Sequence, residues 1–184
     1  MLEIPERYNV STILDRNLEK GLGKKAAIHW ADGQMTYEEL FQRTCAFARA
    51  LKALGIHREE RVLMVLDDTW AFPVAFLGAI RAGAVPIPVN PLLHPQEYRY
   101  FVEDSYARAV VADKGSLPRV EEALKEITGV RLIVFGADLP EGWEAFRMEE
   151  LLEAHAGELP PEDTHRDDMA FWLYSSGSTG RPKG

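Results

Sequence analysis

The chain has 184 residues, of which 46% are hydrophobic and 27% charged, a balance typical of a folded globular protein and not of a disordered or fibrous one. Its 21 basic and 29 acidic residues give a net charge of −8, which argues against a surface that binds the backbone of nucleic acids. The longest apolar stretch without a charge, residues 69–80, is too short to span a bilayer, and the first residues lack the apolar run of a secretory signal. We therefore expect a cytoplasmic protein with no nucleic acid or membrane partner.

Two small elements are predicted near the start of the chain. Residues 11–20 have helical spacing and are followed by glycines that stop a helix. Residues 26–30 and 34–36 flank Asp32-Gly33, a dipeptide typical of tight hairpin turns. We expect a short helix on the outside of the fold, followed by a small hairpin.

The helix marked most clearly begins after Thr36. Thr36 and Glu39 have the spacing of a capping box, and apolar residues then recur at helical intervals until Gly55. Cys45 lies beside this apolar stripe, where we expect a packed and unreactive thiol. Because it is the only cysteine, the chain has no internal disulfide or cysteine-based metal cluster, which fits a reducing compartment.

From residue 61 onward, short apolar runs alternate with helical patterns, as in a parallel sheet built from strand–helix–strand units. The predicted strands are residues 61–66, 84–89, 109–112 and 131–135, and the helices between them are residues 71–82, 95–103 and 117–127. Pro86 and Pro88 favour an edge position for the second of these strands. We predict an α/β fold with a doubly wound, mostly parallel sheet and helices on both of its faces.

The remaining segments lead to the end of the chain. Residues 137–142 are a turn-rich break, residues 148–155 a short helix, and the polar residues 158–168 a solvated surface loop instead of an acidic binding site. The run MAFWLY (residues 169–174) predicts a strand with Phe171 and Trp172 in the core.

This last run leads directly into a loop rich in glycine and hydroxyl residues, SSGSTGRPKG. Glycines let backbone N–H groups approach a phosphate, hydroxyl groups donate hydrogen bonds, and a lysine supplies a positive charge. The spacing is not that of a Walker A motif, because Lys183 is preceded by Pro182 and followed by Gly184. Composition alone also fits a flexible linker, but the strand ahead of the loop favours a polyphosphate site.

Three segments of the chain resemble those of one superfamily. YSSGSTGRPKG (residues 174–184) is similar to the phosphate-binding signature of the adenylate-forming enzymes, which include acyl-CoA ligases, luciferases and peptide-synthetase adenylation domains. MTYEEL (residues 35–40) and FLGAIRAGAVPIPVNPLL (residues 76–93) resemble two earlier elements of the same enzymes, in the same order. Among them, the chain is most similar to the benzoate-CoA ligases.

The resemblance implies that residues 1–184 are the N-terminal portion of a large adenylation domain, followed by the rest of that domain and a C-terminal domain. It implies that Lys183 is a catalytic residue. The implied contacts to the β- and γ-phosphates of ATP come from Ser175, Ser176, Gly177, Ser178, Thr179, Gly180 and Lys183. The acid pocket, the adenine site, the ligand of Mg²⁺ and the CoA tunnel are expected after Gly184, so we expect the 184-residue segment alone to be inactive.

The implied reaction joins an aromatic carboxylate, such as benzoate, to coenzyme A at the expense of ATP. The carboxylate attacks the α-phosphorus to give an acyl-adenylate and pyrophosphate, and the CoA thiol then displaces AMP. The phosphate loop, together with Mg²⁺, would neutralise charge on the departing pyrophosphate. Three alternatives stay open: a substituted benzoate, a fatty acid, or a nucleotide-binding α/β fragment without catalysis. The sequence leaves the oligomeric state open, with a homodimer as one alternative.

Other candidate residues favour structural roles. The five histidines show no metal-ligand spacing, so we propose no metal site. Asp67 and Asp68 follow a predicted strand, where turn or helix-cap roles are favoured over ligand binding. Tyr98, Tyr100 and Phe101 are interpreted as one face of an amphipathic helix.

Overall fold

The structure, a computed structural model, describes residues 4–31, 33–175 and 181–184. Within these residues the chain forms six helices and seven strands. The helices are α1 (Thr12–Glu19), α2 (Tyr37–Ala53), α3 (Ala71–Arg81), α4 (Pro95–Ser105), α5 (Leu117–Leu124) and α6 (Met148–Ala154). The strands are β1 (Ala26–Trp30), β2 (Gly33–Thr36), β3 (Arg61–Val65), β4 (Val85–Pro88), β5 (Ala109–Asp113), β6 (Arg131–Phe135) and β7 (Ala145–Arg147). None of the helices in the described part of the chain is long and apolar enough to cross a membrane.

The predicted hairpin and capping box are both confirmed. β1 and β2 pair antiparallel, with Trp30 opposite Gly33, while Asp32 of the predicted turn lies outside the described residues. At the start of α2, the Glu39 N–H donates to the Thr36 hydroxyl oxygen at 3.2 Å, and the Thr36 N–H donates to the Glu39 carboxylate at 2.8 Å. These two bonds satisfy backbone groups that have no partner inside the helix.

The predicted parallel sheet is also confirmed. Its strands lie in the order β4-β3-β5-β6-β7, and each neighbouring pair is parallel. Within the described chain β4 is an edge strand, as Pro86 and Pro88 predicted. From β3 the chain crosses through α3 to one side of the sheet, and from β4 it crosses back through α4, so the two helices cover opposite faces.

Side chains of the central strands alternate between two separate hydrophobic clusters. On β3, Val62 and Met64 belong to the cluster under α2, α3 and α6, whereas Leu63 and Val65 belong to the cluster under α4 and α5. These strand residues are fully buried. A strand covered on both faces needs apolar residues at every position, which is why this part of the sequence is continuously apolar.

Strand β7 was not predicted. Its three residues, Ala145–Arg147, lie between the predicted break and the predicted sixth helix, and they pair parallel to β6. The connection from β6 contains no helix, so the strand–helix–strand pattern that marks the other strands is missing here. Its half-buried side chains give no apolar run either.

Residues 169–174 do not form the predicted strand. The Trp172 N–H donates to the Pro86 carbonyl at 3.1 Å, but the two prolines of β4 have no N–H to donate in return, so this edge cannot carry a regular ladder. Trp172 and Tyr174 pack against the cluster under α4 and α5. The alternate side chains of the segment are exposed: Met169, Phe171 and Leu173. The predicted core position of Phe171 is therefore wrong.

The connector at residues 158–168 is a loop, as predicted, but it is anchored to the fold and not simply solvated. The Glu162 N–H donates to the Arg81 carbonyl at 2.8 Å, and the Arg81 Nε donates to the Leu159 carbonyl at 2.6 Å. The Asn9 side chain, which is buried, donates to the Ile80 carbonyl at 2.8 Å. The first two bonds hold the connector along the end of α3, and the third holds the segment before α1 against the same end of the helix.

Candidate functional site

The loop that the sequence singles out is closed at its base. The Ser175 N–H donates to the Lys183 carbonyl at 2.9 Å, and the Lys183 N–H donates to the Ser175 carbonyl at 3.0 Å. This antiparallel bridge joins the outgoing arm of the loop, residues 174–175, to the returning arm, residues 181–184. We call the two arms together the neck. The other predicted phosphate-binding residues lie outside the described residues: Ser176, Gly177, Ser178, Thr179 and Gly180.

Helix α4 contacts both arms of the neck. The Tyr174 hydroxyl donates to the Asp104 carboxylate at 2.6 Å, and the Tyr100 hydroxyl donates to the Pro182 carbonyl at 2.8 Å. The Arg181 guanidinium carbon lies 5.2 Å from the centre of the Tyr100 ring, a distance at which cations are attracted to aromatic faces. The neck therefore lies on one face of α4.

The Tyr174 ring is packed among other aromatic rings beside this helix. Its centre lies 4.4 Å from that of Phe101 and 5.8 Å from that of Trp172. Burial raises the pKa of Tyr174 well above its ordinary value, and its hydrogen bond to the Asp104 carboxylate adds to the shift. Tyr174 is therefore a neutral donor at physiological pH.

Gly184 lies against the Trp172 indole. A Cβ atom at residue 184 would overlap this ring, so the close approach of backbone and indole requires glycine while the ring keeps its place. The Trp172 Nε1 is buried and has no hydrogen-bond partner among the described residues. This contact fixes the end of the returning arm against the arm that leads into the loop.

The two candidate residues that the structure describes, Ser175 and Lys183, are both exposed. In the described part of the chain, the Lys183 ammonium takes part in no ion pair. The structure thus pairs the backbone of a residue with a hydroxyl group and that of a residue with a positive charge at the base of the loop. An anion with several oxygens is the ligand chemistry that such groups suit.

Asp67 and Asp68 do not cap α3. The N-cap of that helix is Trp70, which makes no side-chain capping bond, so the predicted cap role is wrong. The predicted turn role holds for Asp67, because its carbonyl accepts from the Thr69 N–H at 2.7 Å. Its own N–H donates to the Asp113 carboxylate at 2.6 Å, which links the carboxyl ends of β3 and β5.

Sequence reasoning found the loop but missed part of its support. Tyr100 was interpreted only as part of an amphipathic face, and Asp104 was not singled out. Their spacing of four residues, which places both side chains on one side of a helix, was the available signal. Nothing in the sequence pattern indicated that this side would meet the neck.

The sequence interpretation of Cys45 is confirmed. Its side chain is fully buried in the cluster under α2, α3 and α6, and burial raises the pKa of its thiol. The thiol therefore stays protonated and inaccessible, which does not suit a nucleophile.

The chain is similar in sequence and in fold to known proteins. A family model described as AMP-binding enzyme matches residues 14–184. The chain is 39% identical over 178 residues to a 4-hydroxybenzoate–CoA/benzoate–CoA ligase of Rhodopseudomonas palustris, covering 96% of this chain and 33% of that protein. It is 38% identical over 185 residues to a benzoate–CoA ligase of Thauera aromatica, covering 100% of this chain and 34% of that protein.

A solved structure of a benzoate CoA ligase from Burkholderia xenovorans is similar in fold as well as in sequence, with a TM-score of 0.84 and 43% identity. The match covers 96% of this chain and 34% of that one. The chain thus spans about a third of the length of the relatives it matches. Because the family model covers nearly the whole sequence, the chain belongs to the family of AMP-binding enzymes.

Proposed function

We propose that these residues are the N-terminal portion of the large adenylation domain of an acid–CoA ligase, and that the enzyme acts on benzoate or a similar aromatic acid. The observation that carries the proposal is the bridge between Ser175 and Lys183, which closes a loop of glycine and hydroxyl residues beside an exposed lysine. The similarity to ligases named for benzoate and hydroxybenzoate supports the choice of acid.

In the proposed reaction the chain positions ATP and stabilises charge. The loop binds the β- and γ-phosphates, with Ser175 at one end and Lys183 at the other. A carboxylate oxygen of the acid attacks the α-phosphorus, the bond from that phosphorus to the bridging oxygen breaks, and pyrophosphate leaves with the electron pair. The positive charge of Lys183 favours this departure because negative charge builds up on the leaving group.

The second half-reaction completes the thioester. The CoA thiol loses its proton and attacks the carbonyl carbon of the acyl-adenylate, and AMP leaves. Both nucleophiles belong to substrates, so the role of the described residues is orientation and electrostatic stabilisation and not covalent catalysis.

No residue of this chain is assigned to Mg²⁺. We propose that ATP binds together with Mg²⁺, and that the protein ligand of the ion lies after Gly184, as the resemblance implies. We also propose a cytoplasmic location, because the single buried thiol of Cys45 fits a reducing compartment.

Isotope exchange between ATP and pyrophosphate tests the proposal, using the protein encoded by the complete reading frame. Benzoate, 4-hydroxybenzoate, anthranilate, acetate and a long-chain fatty acid are compared as the activating acid. We expect exchange with benzoate or a ring-substituted benzoate and little with the aliphatic acids. Preferred exchange with acetate or a fatty acid would contradict the aromatic substrate, and no exchange with any acid would contradict the adenylation chemistry.

A further inference from the structure

We propose that Tyr100 and Asp104 of α4 are positioning residues, which hold the two arms of the neck in place and so direct Lys183 toward the phosphates of the nucleotide. The effect on the nucleotide rests on the function proposed above, whereas the effect on the neck does not. The juxtaposition that carries the proposal is one helix face bound to both arms of one loop.

Each of the two side chains binds one arm of the neck. Tyr100 binds the returning arm through the Pro182 carbonyl, and Asp104 binds the outgoing arm through the Tyr174 hydroxyl. Because they are four residues apart on α4, their separation is set by the helix and does not depend on the loop. A rigid element thus sets the distance between the two ends of a glycine-rich segment.

The contact of Tyr100 acts directly on the peptide unit that precedes Lys183. The carbonyl of that unit belongs to Pro182 and accepts from Tyr100 at 2.8 Å, while its N–H belongs to Lys183 and donates to the Ser175 carbonyl at 3.0 Å. A peptide unit is planar, so hydrogen bonds at both of its polar ends fix its orientation. The Lys183 carbonyl in turn accepts from the Ser175 N–H at 2.9 Å, so the backbone is held on both sides of the Lys183 Cα, and with it the direction of the Cα–Cβ bond.

The Tyr100 ring has a second partner on the same arm. The Arg181 guanidinium lies over it, so the positive charge two residues before Lys183 is engaged with α4. On the outgoing arm, the Tyr174 ring packs against Phe101 and its hydroxyl donates to Asp104. The residue directly before Ser175 is therefore held on α4. Both ends of the loop are therefore anchored on α4.

The test uses Tyr100→Phe, which removes one hydroxyl group and keeps the ring, in the protein encoded by the complete reading frame. Tyr106→Phe is the matched control, because Tyr106 follows the same helix and is 76% exposed. Losing one hydrogen bond of ordinary strength should raise KM for ATP about fivefold. We expect KM for the aromatic acid and for CoA to change less than twofold, and the control to match the parent.

A second measurement reports on the neck without any nucleotide. Trypsin cleaves after Lys183, and Pro182 protects the bond after Arg181, so one cleavage site reports on the returning arm. Tyr100→Phe and Tyr174→Phe should both be cleaved after Lys183 several times faster than the parent, because each frees one arm from α4. The melting temperature of each variant is measured to show that the fold is retained.

The two readouts separate failure of this inference from failure of the proposed function. If the parent catalyses exchange and Tyr100→Phe has the KM for ATP of the parent, positioning by Tyr100 is wrong. If the parent catalyses no exchange with any acid, the proposed function fails. In that case unchanged cleavage after Lys183 in both variants would also overturn the anchoring.

Discussion

The guanidinium of Arg81, at the end of α3, pairs with both carboxylate oxygens of Asp15 on α1, at 2.8 and 2.9 Å. The Arg81 side chain is 2% exposed and also lies 4.9 Å from the centre of the Phe41 ring. A charge removed from water in this way needs its partner, since an unpaired buried charge is strongly unfavourable. The pair therefore ties the N-terminal helix to the body of the fold.

Removing the acidic partner should destabilise the protein. Asp15→Ala leaves the buried guanidinium without its carboxylate, and we expect the free energy of unfolding to fall by about 3 kcal/mol. Asp163→Ala is the control, because Asp163 pairs with Arg7 at the same 2.8 Å while both side chains are largely exposed. That change should cost less than about 1 kcal/mol. Equal effects of the two changes in urea denaturation would contradict the assignment.

Gly78 marks a tight contact between α2 and α3. A Cβ atom there would lie 2.9 Å from Cδ1 of the fully buried Phe47 and 3.1 Å from the Thr44 carbonyl oxygen. Gly78→Ala should therefore lower the free energy of unfolding by about 1–3 kcal/mol, although alanine is the better helix former. Gly23→Ala, whose Cβ would make only ordinary contacts, is the control. Urea denaturation checks both, and a stabilising Gly78→Ala would show that the helices separate easily.

The capping box makes the start of α2 sensitive to pH. The backbone N–H of Thr36, and then its hydroxyl, hold the pKa of Glu39 below its ordinary value of 4.5. A lowered carboxylate pKa contributes stability above that value, and the contribution is lost as the pH falls through the folded-state pKa. Glu39 is exposed, so solvent screening limits the effect: Glu39→Gln should lower the free energy of unfolding by less than about 0.5 kcal/mol at neutral pH, and should have no effect once Glu39 is protonated. Urea denaturation at neutral pH and at a pH below the folded-state pKa of Glu39 measures the difference in the free energy of unfolding between Glu39→Gln and the parent. A difference that did not change with pH would contradict the prediction.

Lys183 is predicted to act on the adenylation half-reaction. Lys183→Ala in the protein encoded by the complete reading frame removes a charge-assisted hydrogen bond to phosphate, so benzoate-dependent exchange of ATP and pyrophosphate should slow about 10- to 100-fold. Lys20→Ala, which removes an exposed lysine at the end of α1, should leave the rate unchanged. Exchange at the parental rate in Lys183→Ala would remove this residue from the mechanism.

Features governed by neighbouring residues could be predicted from the sequence. The start of α2 depends on Thr36 and Glu39, which are three residues apart, and the hairpin depends on a turn between adjacent runs. The parallel sheet was also predictable, because strands covered on both faces must be apolar throughout. The capping box and the hairpin depend on residues close together in the sequence, and burial on both faces of the sheet requires an apolar side chain at every position of a strand.

Features that depend on distant partners could not be predicted. Residues 169–174 have the composition of a strand, but the edge they meet carries Pro86 and Pro88, which remove two donors. β7 has only three residues and is a strand because β6 lies beside it. For the candidate site, the residue types of the loop were visible, whereas its closure and its support by α4 follow from tertiary contacts.

The separation of strand side chains into two clusters has a consequence for how the molecule tolerates change. Val110 and Val111 are consecutive and both fully buried, but they face opposite sides of β5. Truncating Val110 should loosen the layer beside α4 and the neck, and truncating Val111 should loosen the layer beside α2. The sheet thus separates the layer that supports the neck through α4 from the layer under α2, α3 and α6, so a core substitution acts first on the helices of its own layer.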